Sequence, residues 1–324
     1  MQDSFVKALR HLQKQGLFTR KEEELERVRT GLVGFDYLCG GGVPRGRILE
    51  LYGFEGSGKT TLAAEIARVF QANNERVIYL DYEHAIDLAY LTRIGVKFDD
   101  EYFLYEQPDY LEQGLDAALK LIRTGSVGLL IVDSVAAMVP KDELEGTIED
   151  YTIGLQARKM GQALRVLADT LEKHKTTALF INQLRDKIGG NPYERRVDPT
   201  TTPGGRALKF FASIRLEVKK GPKDDDGAYI YRVRLRKQKT AIVQFGTIEI
   251  KITERGVNFW EHIIRSLKAT GLLSVRKSGA YFQDSLQASS LKEFVGQLKS
   301  DKSFMTQVTE VLENAWSKGW KEGV

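Results

Sequence analysis

The first residues that could do chemistry form a glycine-rich string, GFEGSGKT, early in the chain. It fits the pattern GxxxxGK[ST] and lies between an apolar run, ILELY, and a helical run, TLAAEIARVF. In such a loop, glycines let backbone N–H groups converge on phosphate oxygens, and the next helix adds its N-terminal dipole. Lys59 would reach the β- and γ-phosphates, and the Thr60 hydroxyl would coordinate Mg²⁺. The predicted nucleotide-binding residues are Gly53, Phe54, Glu55, Gly56, Ser57, Gly58, Lys59, Thr60 and Thr61.

Two acidic motifs are candidates for completing this site. The apolar run LLIVD ends in Asp133, and a carboxylate at the end of a neighbouring parallel strand can hold the water shell of Mg²⁺. The run RVIYL is followed by Asp81 and Glu83, and either could act as the general base on an attacking water. The residue pattern alone leaves both open. We expect His84 to make local hydrogen bonds, because no Cys/His spacing accompanies it that would indicate a metal site.

Alternating segments must position these side chains. Apolar runs of strand length (ILELYG, RVIYLDY, GLLIVDS and TALFIN) are separated by helical periodicity near residues 60–72, 85–94, 110–124 and 153–174. This alternation is typical of βαβ units and predicts an α/β fold with a mostly parallel sheet. The later runs RALKFFASIRLEVKK, AYIYRVRLRKQ and FGTIEIKI alternate with period two. They predict antiparallel strands that extend the same sheet.

The pattern divides the chain into three parts. In residues 1–30, Phe5, Leu9 and Leu12 recur at helical spacing and predict a short amphipathic helix, followed by a charged linker. Its apolar side would dock on an adjacent subunit. Residues 31–259 form the predicted core, and residues 260–324 a small C-terminal α/β domain with helical stretches around 260–270, 290–299 and 303–317.

The composition excludes several classes of protein. The 324 residues are 42% hydrophobic, and 48 Lys and Arg against 44 Asp and Glu give a net charge of +4. The 15 Phe, 13 Tyr and 3 Trp exclude a disordered chain, while so small a net charge does not by itself indicate a nucleic-acid binder. No apolar run has the length of a membrane span or of a signal peptide. Because the single cysteine, Cys39, fits a reducing compartment, we expect a cytoplasmic protein without membrane contact.

Six segments in a fixed order carry a family resemblance. They read GFEGSGKTTL, LDYEHAID, LLIVDSVAAMVPKDELEG, GLQARKMGQALR, LFINQLRDKIGG and TTTPGGRALKFFASIRLEV. Together they resemble the bacterial RecA recombinase family along nearly the whole chain. Departures from the family pattern, such as the longer stretch GGNPYERRVDPTTTPGG, suggest a divergent member encoded by a phage, a plasmid or one lineage.

The resemblance implies a RecA-like P-loop NTPase core and a DNA-dependent ATPase that uses ATP and Mg²⁺. Such a protein forms helical filaments of its own copies on single-stranded DNA and exchanges strands with a homologous duplex, in recombination and repair. It would act at the nucleoid, or in the host cytoplasm if it is phage-encoded. Single-strand-binding and loading proteins are compatible further partners.

The resemblance also assigns roles to residues of the nucleotide site. It makes Glu83 the general base and leaves Asp81 as support. It places Asp87 and Tyr90 at the adenine, where Tyr90 would supply an aromatic face. Gln183 matches the γ-phosphate sensor, whose amide can respond to hydrolysis. Lys237 and Lys239 match cations that reach the ATP of the neighbouring subunit.

Two DNA-binding loops follow from the same matching, at about residues 145–154 and 184–205. Their glycines would let the backbone approach phosphates, and their basic residues would concentrate positive charge there. Tyr193 would take the place of an apolar-aromatic run that the family has in the second loop. The predicted DNA-binding residues are Gly146, Gly154, Arg158, Arg165, Arg185, Lys187, Gly189, Tyr193, Arg195, Arg196, Gly204, Gly205 and Arg206.

Two other functions use the same motifs. A hexameric RecA-fold motor, such as a helicase or a branch-migration protein, would use the same ATP site in a closed ring. A regulator would bind DNA without turning over ATP. Closed rings without filaments would exclude a filament-forming recombinase, and an ATPase rate unchanged by DNA would favour one of these alternatives.

Overall fold

The computed structural model describes residues 2–18, 24–99, 101–146, 154–186, 200–242 and 246–317. Helices and strands alternate through the first part of this chain, because each apolar run of strand length is followed by a segment of helical periodicity. In chain order the elements are α1 (Gln2–Lys14), β1 (Arg27–Val28), α2 (Val33–Leu38), β2 (Val43–Pro44), β3 (Ile48–Gly53), α3 (Lys59–Ala72), β4 (Arg76–Asp81), α4 (Leu88–Ile94), β5 (Phe103–Glu106), α5 (Leu111–Ile122) and β6 (Val127–Asp133).

The remaining elements begin with a short 3₁₀ turn at Val135–Ala137. They continue with α6 (Lys141–Glu145), α7 (Leu155–His174), β7 (Thr177–Gln183), β8 (Arg185–Asp186), β9 (Thr200–Thr201), α8 (Gly205–Phe211), β10 (Ile214–Lys223), β11 (Tyr229–Gln238), β12 (Thr247–Thr253) and β13 (Gly256–Val257). The last elements are α9 (Phe259–Ala269), β14 (Leu273–Arg276), β15 (Gly279–Phe282), β16 (Ser285–Ala288), α10 (Leu291–Ser300) and α11 (Lys302–Ser317).

One nine-stranded sheet organises the core, in the order β13-β12-β11-β10-β3-β7-β6-β4-β5. The six strands from β10 to β5 run parallel, while β11, β12 and β13 add antiparallel pairs at one edge. This arrangement confirms the predicted α/β fold and the antiparallel extension by β11 and β12. The segment IRLEVKK, expected to be antiparallel to the rest of the sheet, instead begins β10, which runs parallel to β3. Strand β6 is buried along its whole length, as expected for a parallel strand with both faces covered.

Helices cover both faces of the sheet. On one face, Leu62, Ile66 and Phe70 of α3 pack with alternate strand residues such as Leu51. On the other face, α5 and α7 pack with the intervening strand residues, such as Leu130 and Val132 of β6. The two faces therefore bury opposite residues of the same strands, as the period of a strand requires.

The prediction of strand for RALKFF was wrong, because residues Gly205–Phe211 form helix α8. Gly204 precedes it with a φ of +82°, a conformation that glycine adopts without strain and that turns the chain into the helix. Leu208 points into the core, whereas Phe210 is 67% exposed. Phe210 and Phe211 therefore belong to a helix, although the local sequence pattern also fits a strand.

The C-terminal elements bury a core of their own. Phe294, Leu312 and Trp316 pack there together with Val33 from α2. The predicted helical stretches of this region match α9, α10 and α11. Among the residues that the structure describes, no helix has the length and apolar character needed to cross a bilayer.

Candidate functional site

The glycine-rich loop connects buried strand β3 to helix α3. Two of its glycines are sterically required. A Cβ at Gly53 would come within 2.1 Å of the Val218 carbonyl oxygen, and one at Gly58 within 2.5 Å of Ile252 Cδ1. Gly58 also has a φ of +84°. The loop can therefore curl tightly over the N-terminus of α3, which leaves its backbone N–H groups available to an anion.

Lys59 lies inside this loop, and its side chain is buried. Its Nζ donates to the carbonyl oxygens of Gly53 at 3.1 Å and Phe54 at 2.8 Å. Burial lowers the pKa of Lys59, and Asp133 and Glu83 act in the opposite direction. The ammonium group thus lies at the centre of the loop, held by neutral carbonyls that a charged phosphate can replace.

Thr60 and Asp133 meet beside the loop. The Thr60 hydroxyl donates to Asp133 Oδ2 at 3.1 Å, and the Tyr79 hydroxyl donates to the same oxygen at 2.8 Å. Burial raises the pKa of Asp133 to about 6, with a further contribution from the charge of Glu83. Within the described ranges no cluster of three acidic, His or Cys side chains could hold a metal by itself. The donor set fits Mg²⁺, which needs few protein ligands and keeps waters and substrate oxygens.

The structure separates the two carboxylates that the residue pattern left open. Asp81 is fully buried, and its Oδ1 accepts the backbone N–H groups of Glu83 and His84 at 3.1 and 2.9 Å. Its Oδ2 accepts the Tyr105 hydroxyl at 2.8 Å. Because these donors occupy both oxygens, Asp81 shapes the turn after β4 and is not available to a water.

Glu83 is partly exposed and faces the strand ends around the loop. Its Oε1 accepts a hydrogen bond from the Ser134 hydroxyl and another from Gln183 Nε2 at 2.7 Å. Gln183 ends β7, which pairs with β3. The predicted base and the predicted sensor are therefore in direct contact, one strand end away from the phosphate loop.

The predicted adenine contacts lie around helix α4. Asp87 caps this helix, since its Oδ1 accepts the Tyr90 N–H at 3.0 Å. The Tyr90 hydroxyl is hydrogen-bonded to Thr61 Oγ1 at 2.8 Å, which ties α4 to the phosphate loop. Arg93 places its guanidinium carbon 5.6 Å from the centre of the Tyr90 ring. Their role toward adenine stays a prediction.

The two predicted trans lysines converge on the end of helix α8. Lys237 Nζ donates to the carbonyl oxygens of Lys209 and of Phe210, the latter at 3.0 Å. Lys239 Nζ donates to Phe210 O at 3.1 Å and lies 4.8 Å from the centre of the exposed Phe210 ring. Cations are favourable at a helix C-terminus. Burial and the charge of Lys239 lower the pKa of Lys237 to about 8.

The described arginines of the predicted DNA surface lie on three elements. Arg158 and Arg165 are exposed on α7, two helical turns apart, and Arg206 is exposed in the first turn of α8. Arg185 is exposed on β8 and donates to the Ala136 carbonyl at 3.3 Å. Gly146, Gly154, Gly204 and Gly205 lie at the ends of α6, α7 and α8. Outside the described residues lie Lys187, Gly189, Tyr193, Arg195 and Arg196.

Comparison with known proteins decides the family. A family model described as the RecA N-terminal domain matches residues 10–258. Protein RecA of Bacillus thuringiensis is 39% identical over 326 aligned positions, which cover 94% of this chain and 89% of that protein. The chain belongs to the RecA family. Proteins of this family are recombinases and DNA-dependent ATPases, and that is the function of this chain.

Two further relatives match shorter stretches. Protein RecA of Levilactobacillus brevis is 48% identical over 226 residues, covering 67% of this chain and 58% of that protein. Protein RecA of Lactococcus lactis is 42% identical over 265 residues, covering 79% of this chain and 66% of that protein. The RecA-family assignment thus rests on long matches of moderate identity.

Several residues of the site were not found from the sequence. Ser134 and Tyr79 hold Glu83 and Asp133 by hydrogen bonds. Ser134 directly follows the acidic strand end, which is a usable signal, whereas Tyr79 reads as an ordinary strand residue. Asn182, beside the predicted sensor, is fully buried and accepts the Gln183 N–H at 2.9 Å. Its position inside an apolar strand was the available signal.

Proposed function

We propose that this RecA-family chain hydrolyses ATP at the loop of residues 53–61 within a filament on single-stranded DNA. The observation that carries the proposal is the contact between Glu83 and Gln183 beside the loop, at the carboxyl ends of the parallel strands β4 and β7, which lie on either side of β6. Ligands of open α/β sheets bind at that end. A base and an amide donor at such a place fit the hydrolysis of a terminal phosphate.

The phosphate loop binds the nucleotide. Lys59 exchanges its carbonyl partners for phosphate oxygens, and the N–H groups of the loop and of α3 surround the phosphates. Thr60 directly, and Asp133 through water, would hold Mg²⁺, which neutralises phosphate charge when it is bound. Asp87 and Tyr90 contact the adenine.

Glu83 acts as the general base and takes a proton from the attacking water. The Gln183 amide donates to its Oε1 at 2.7 Å in this structure. When this amide turns to the γ-phosphate, that oxygen of Glu83 becomes available to water. Gln183 therefore senses the nucleotide and controls the base through one hydrogen bond.

Lys237 and Lys239 act on the ATP of the neighbouring subunit. They lie near the amino ends of β10 and β3, since Gln238 pairs with Ile214 and Ile214 with Leu49, whereas the chain's own loop follows the carboxyl end of β3. Their hydrogen-bond partners here are the last carbonyls of α8, which carry only partial charge. A phosphate offers full negative charge, so the lysines would move to it when subunits stack.

Helix α1 makes the contact to the next subunit. Phe5 is 70% exposed and Val6 39% exposed, so this part of its apolar face is not covered by the chain's own described fold. An exposed apolar face marks a binding surface. Repetition of one such head-to-tail contact generates a helical filament.

DNA is held by the arginines of α7, β8 and α8 and by the two loops near residues 145–154 and 184–205. Such contacts neutralise phosphates without reading base edges. The held strand therefore stays free to pair with a homologous duplex at the nucleoid. Homology is tested by base pairing itself.

A strand-exchange assay with homologous and heterologous duplexes tests this proposal. We expect product only with the homologous duplex, ATP and Mg²⁺ together, and an ATPase rate that rises when single-stranded DNA is added. Electron microscopy of the same sample should show filaments. Closed rings would contradict the proposal in favour of a hexameric motor, and an unchanged ATPase rate would favour a regulator.

A further inference from the structure

A buried hydrogen-bonded chain begins at the base of the second loop. The two ends of this loop pair as a short antiparallel ribbon, with Arg185 opposite Thr201. Lys209 of α8 donates to Thr201 Oγ1 at 3.2 Å. Two residues further on, the carbonyl oxygen of Pro203 accepts a hydrogen bond from Asn182 Nδ2 at 3.1 Å. The base of the loop is thus attached to one interior side chain.

Asn182 is fully buried in strand β7. Besides Pro203, its Nδ2 donates to Glu50 Oε1 at 3.0 Å, while its Oδ1 accepts the backbone N–H of Gln183 at 2.9 Å. Both amide protons are therefore used, and the carbonyl end is directed at Gln183. An amide fits this position, whereas a carboxylate of the same shape would place one oxygen, in the position of Nδ2, against the Glu50 and Pro203 acceptors.

Glu50 fixes the orientation of this amide. It is completely buried on β3, and its second oxygen is paired with the Arg215 guanidinium. The Arg215 guanidinium carbon also lies 4.5 Å from the centre of the Tyr52 ring. Buried ion pairs seldom add net stability over apolar residues of similar volume. An ion pair whose carboxylate is fully buried, and which is hydrogen-bonded to a polar side chain beside the sensor, points to a specific positioning role.

We propose that Asn182, oriented by buried Glu50 and its ion-pair partner Arg215, is a positioning residue that couples the base of the second DNA loop to Gln183. A displacement of the Pro203 carbonyl when DNA binds changes the hydrogen bonds of Asn182. Asn182 in turn holds the backbone of Gln183, whose side chain contacts Glu83. The inference rests on the proposed function of Gln183 and Glu83, and it adds the path by which DNA reaches them.

The variant Asn182→Asp tests the coupling with almost no change in shape. We expect the stimulation of ATPase by single-stranded DNA to fall about tenfold, while the DNA-free rate and the nucleotide affinity stay within about twofold. Because coupling is reciprocal in binding, the difference in DNA affinity between the ATP-analogue and ADP states should shrink by a similar factor. A merely structural role would lower all of these quantities together.

The matched control is Thr177→Val, at the opposite end of the same strand. Thr177 is fully buried, and its hydroxyl donates to the Pro44 carbonyl oxygen at 2.9 Å, away from both DNA loops. This change removes a buried hydrogen bond from β7 but should leave the DNA stimulation intact. If Asn182→Asp does not fold, the double variant Glu50→Leu/Arg215→Met keeps Asn182 but removes the acceptor that orients it, and it should also lose stimulation.

The outcomes separate this inference from the proposed function. If the wild type shows no DNA stimulation, or Gln183→Ala keeps it fully, the proposed role of Gln183 fails. If the wild type and Gln183→Ala behave as proposed, full stimulation in a folded Asn182→Asp, or in the double variant, overturns the inference alone.

Discussion

The two charged regions assigned to ATP hydrolysis differ in how complete they are within one chain. Beside the phosphate loop, Glu83, Ser134 and Gln183 already contact one another, as do Thr60, Asp133 and Tyr79. At the other region, Lys237 and Lys239 donate hydrogen bonds to backbone carbonyls of α8. In the proposed mechanism, one subunit therefore supplies the phosphate loop and base of one ATP site and the lysines of another, and a neighbouring subunit is needed to complete each site.

The largest loss of ATPase activity should come from a substitution in the phosphate loop. Lys59→Ala removes the only ammonium group within the phosphate loop, so we expect hydrolysis to fall at least about 100-fold. Phosphate release with single-stranded DNA present measures this. The matched change Lys268→Ala, at an exposed position of helix α9, should leave hydrolysis unchanged, and full hydrolysis by Lys59→Ala would refute the site.

Glu83→Gln should stop turnover by a comparable factor while ATP binding and filament formation continue, because an amide cannot accept the proton. Asp81→Asn provides the contrast. It should cost about 1–3 kcal/mol of stability, since Asp81 holds two backbone N–H groups and the Tyr105 hydroxyl. Single-turnover kinetics and thermal unfolding distinguish the two. The assignment is wrong if Asp81→Asn blocks chemistry in a fully stable protein while Glu83→Gln does not.

A substitution in the region of Lys237 and Lys239 should lower ATPase activity only in assembled filaments. Lys239→Ala should lower the ATPase of assembled filaments about tenfold or more and leave nucleotide binding by the free subunit nearly unchanged. Fluorescent nucleotide titration of dilute subunits, beside ATPase on DNA, measures both quantities. Equal loss in the two assays would contradict a role in trans.

A smaller and graded effect should appear with pH. Burial and the charge of Lys239 hold the pKa of Lys237 at about 8, so the free subunit carries this charge below that pH and loses it above. Contact with a phosphate requires the charged form, so assembly must take up a proton above pH 8. We expect assembly to weaken up to about tenfold per pH unit there. In Lys237→Arg, which stays charged, this pH dependence should be absent.

The sequence predicts the parts of the site that depend on local strings. The phosphate loop, Asp133 at its strand end and the helices that follow each strand were all readable, because local pattern and tertiary packing agree there. The distinction between Asp81 and Glu83 was not readable from the residues themselves, since it depends on Tyr105 and Gln183, which are distant in sequence.

The helix at Gly205–Phe211 was missed for a similar reason. Its apolar and polar residues alternate in a way that also fits a strand. The helix is favoured by the turn at Gly204 and by the burial of Leu208 in the core, which the local pattern does not show. The hydrogen bonds of Asn182 to Glu50 and Pro203 also join residues that lie far apart in the chain. No local pattern encodes such a contact.

The most direct test of a site divided between subunits is a mixed filament. Glu83→Gln subunits still offer their lysines, and Lys239→Ala subunits still carry a base, so each preparation alone should be nearly inactive. In a one-to-one mixture about a quarter of the interfaces would join an intact base to an intact lysine. The account predicts recovery of about a quarter of the wild-type ATPase rate. A mixture no more active than the average of its two components would contradict it.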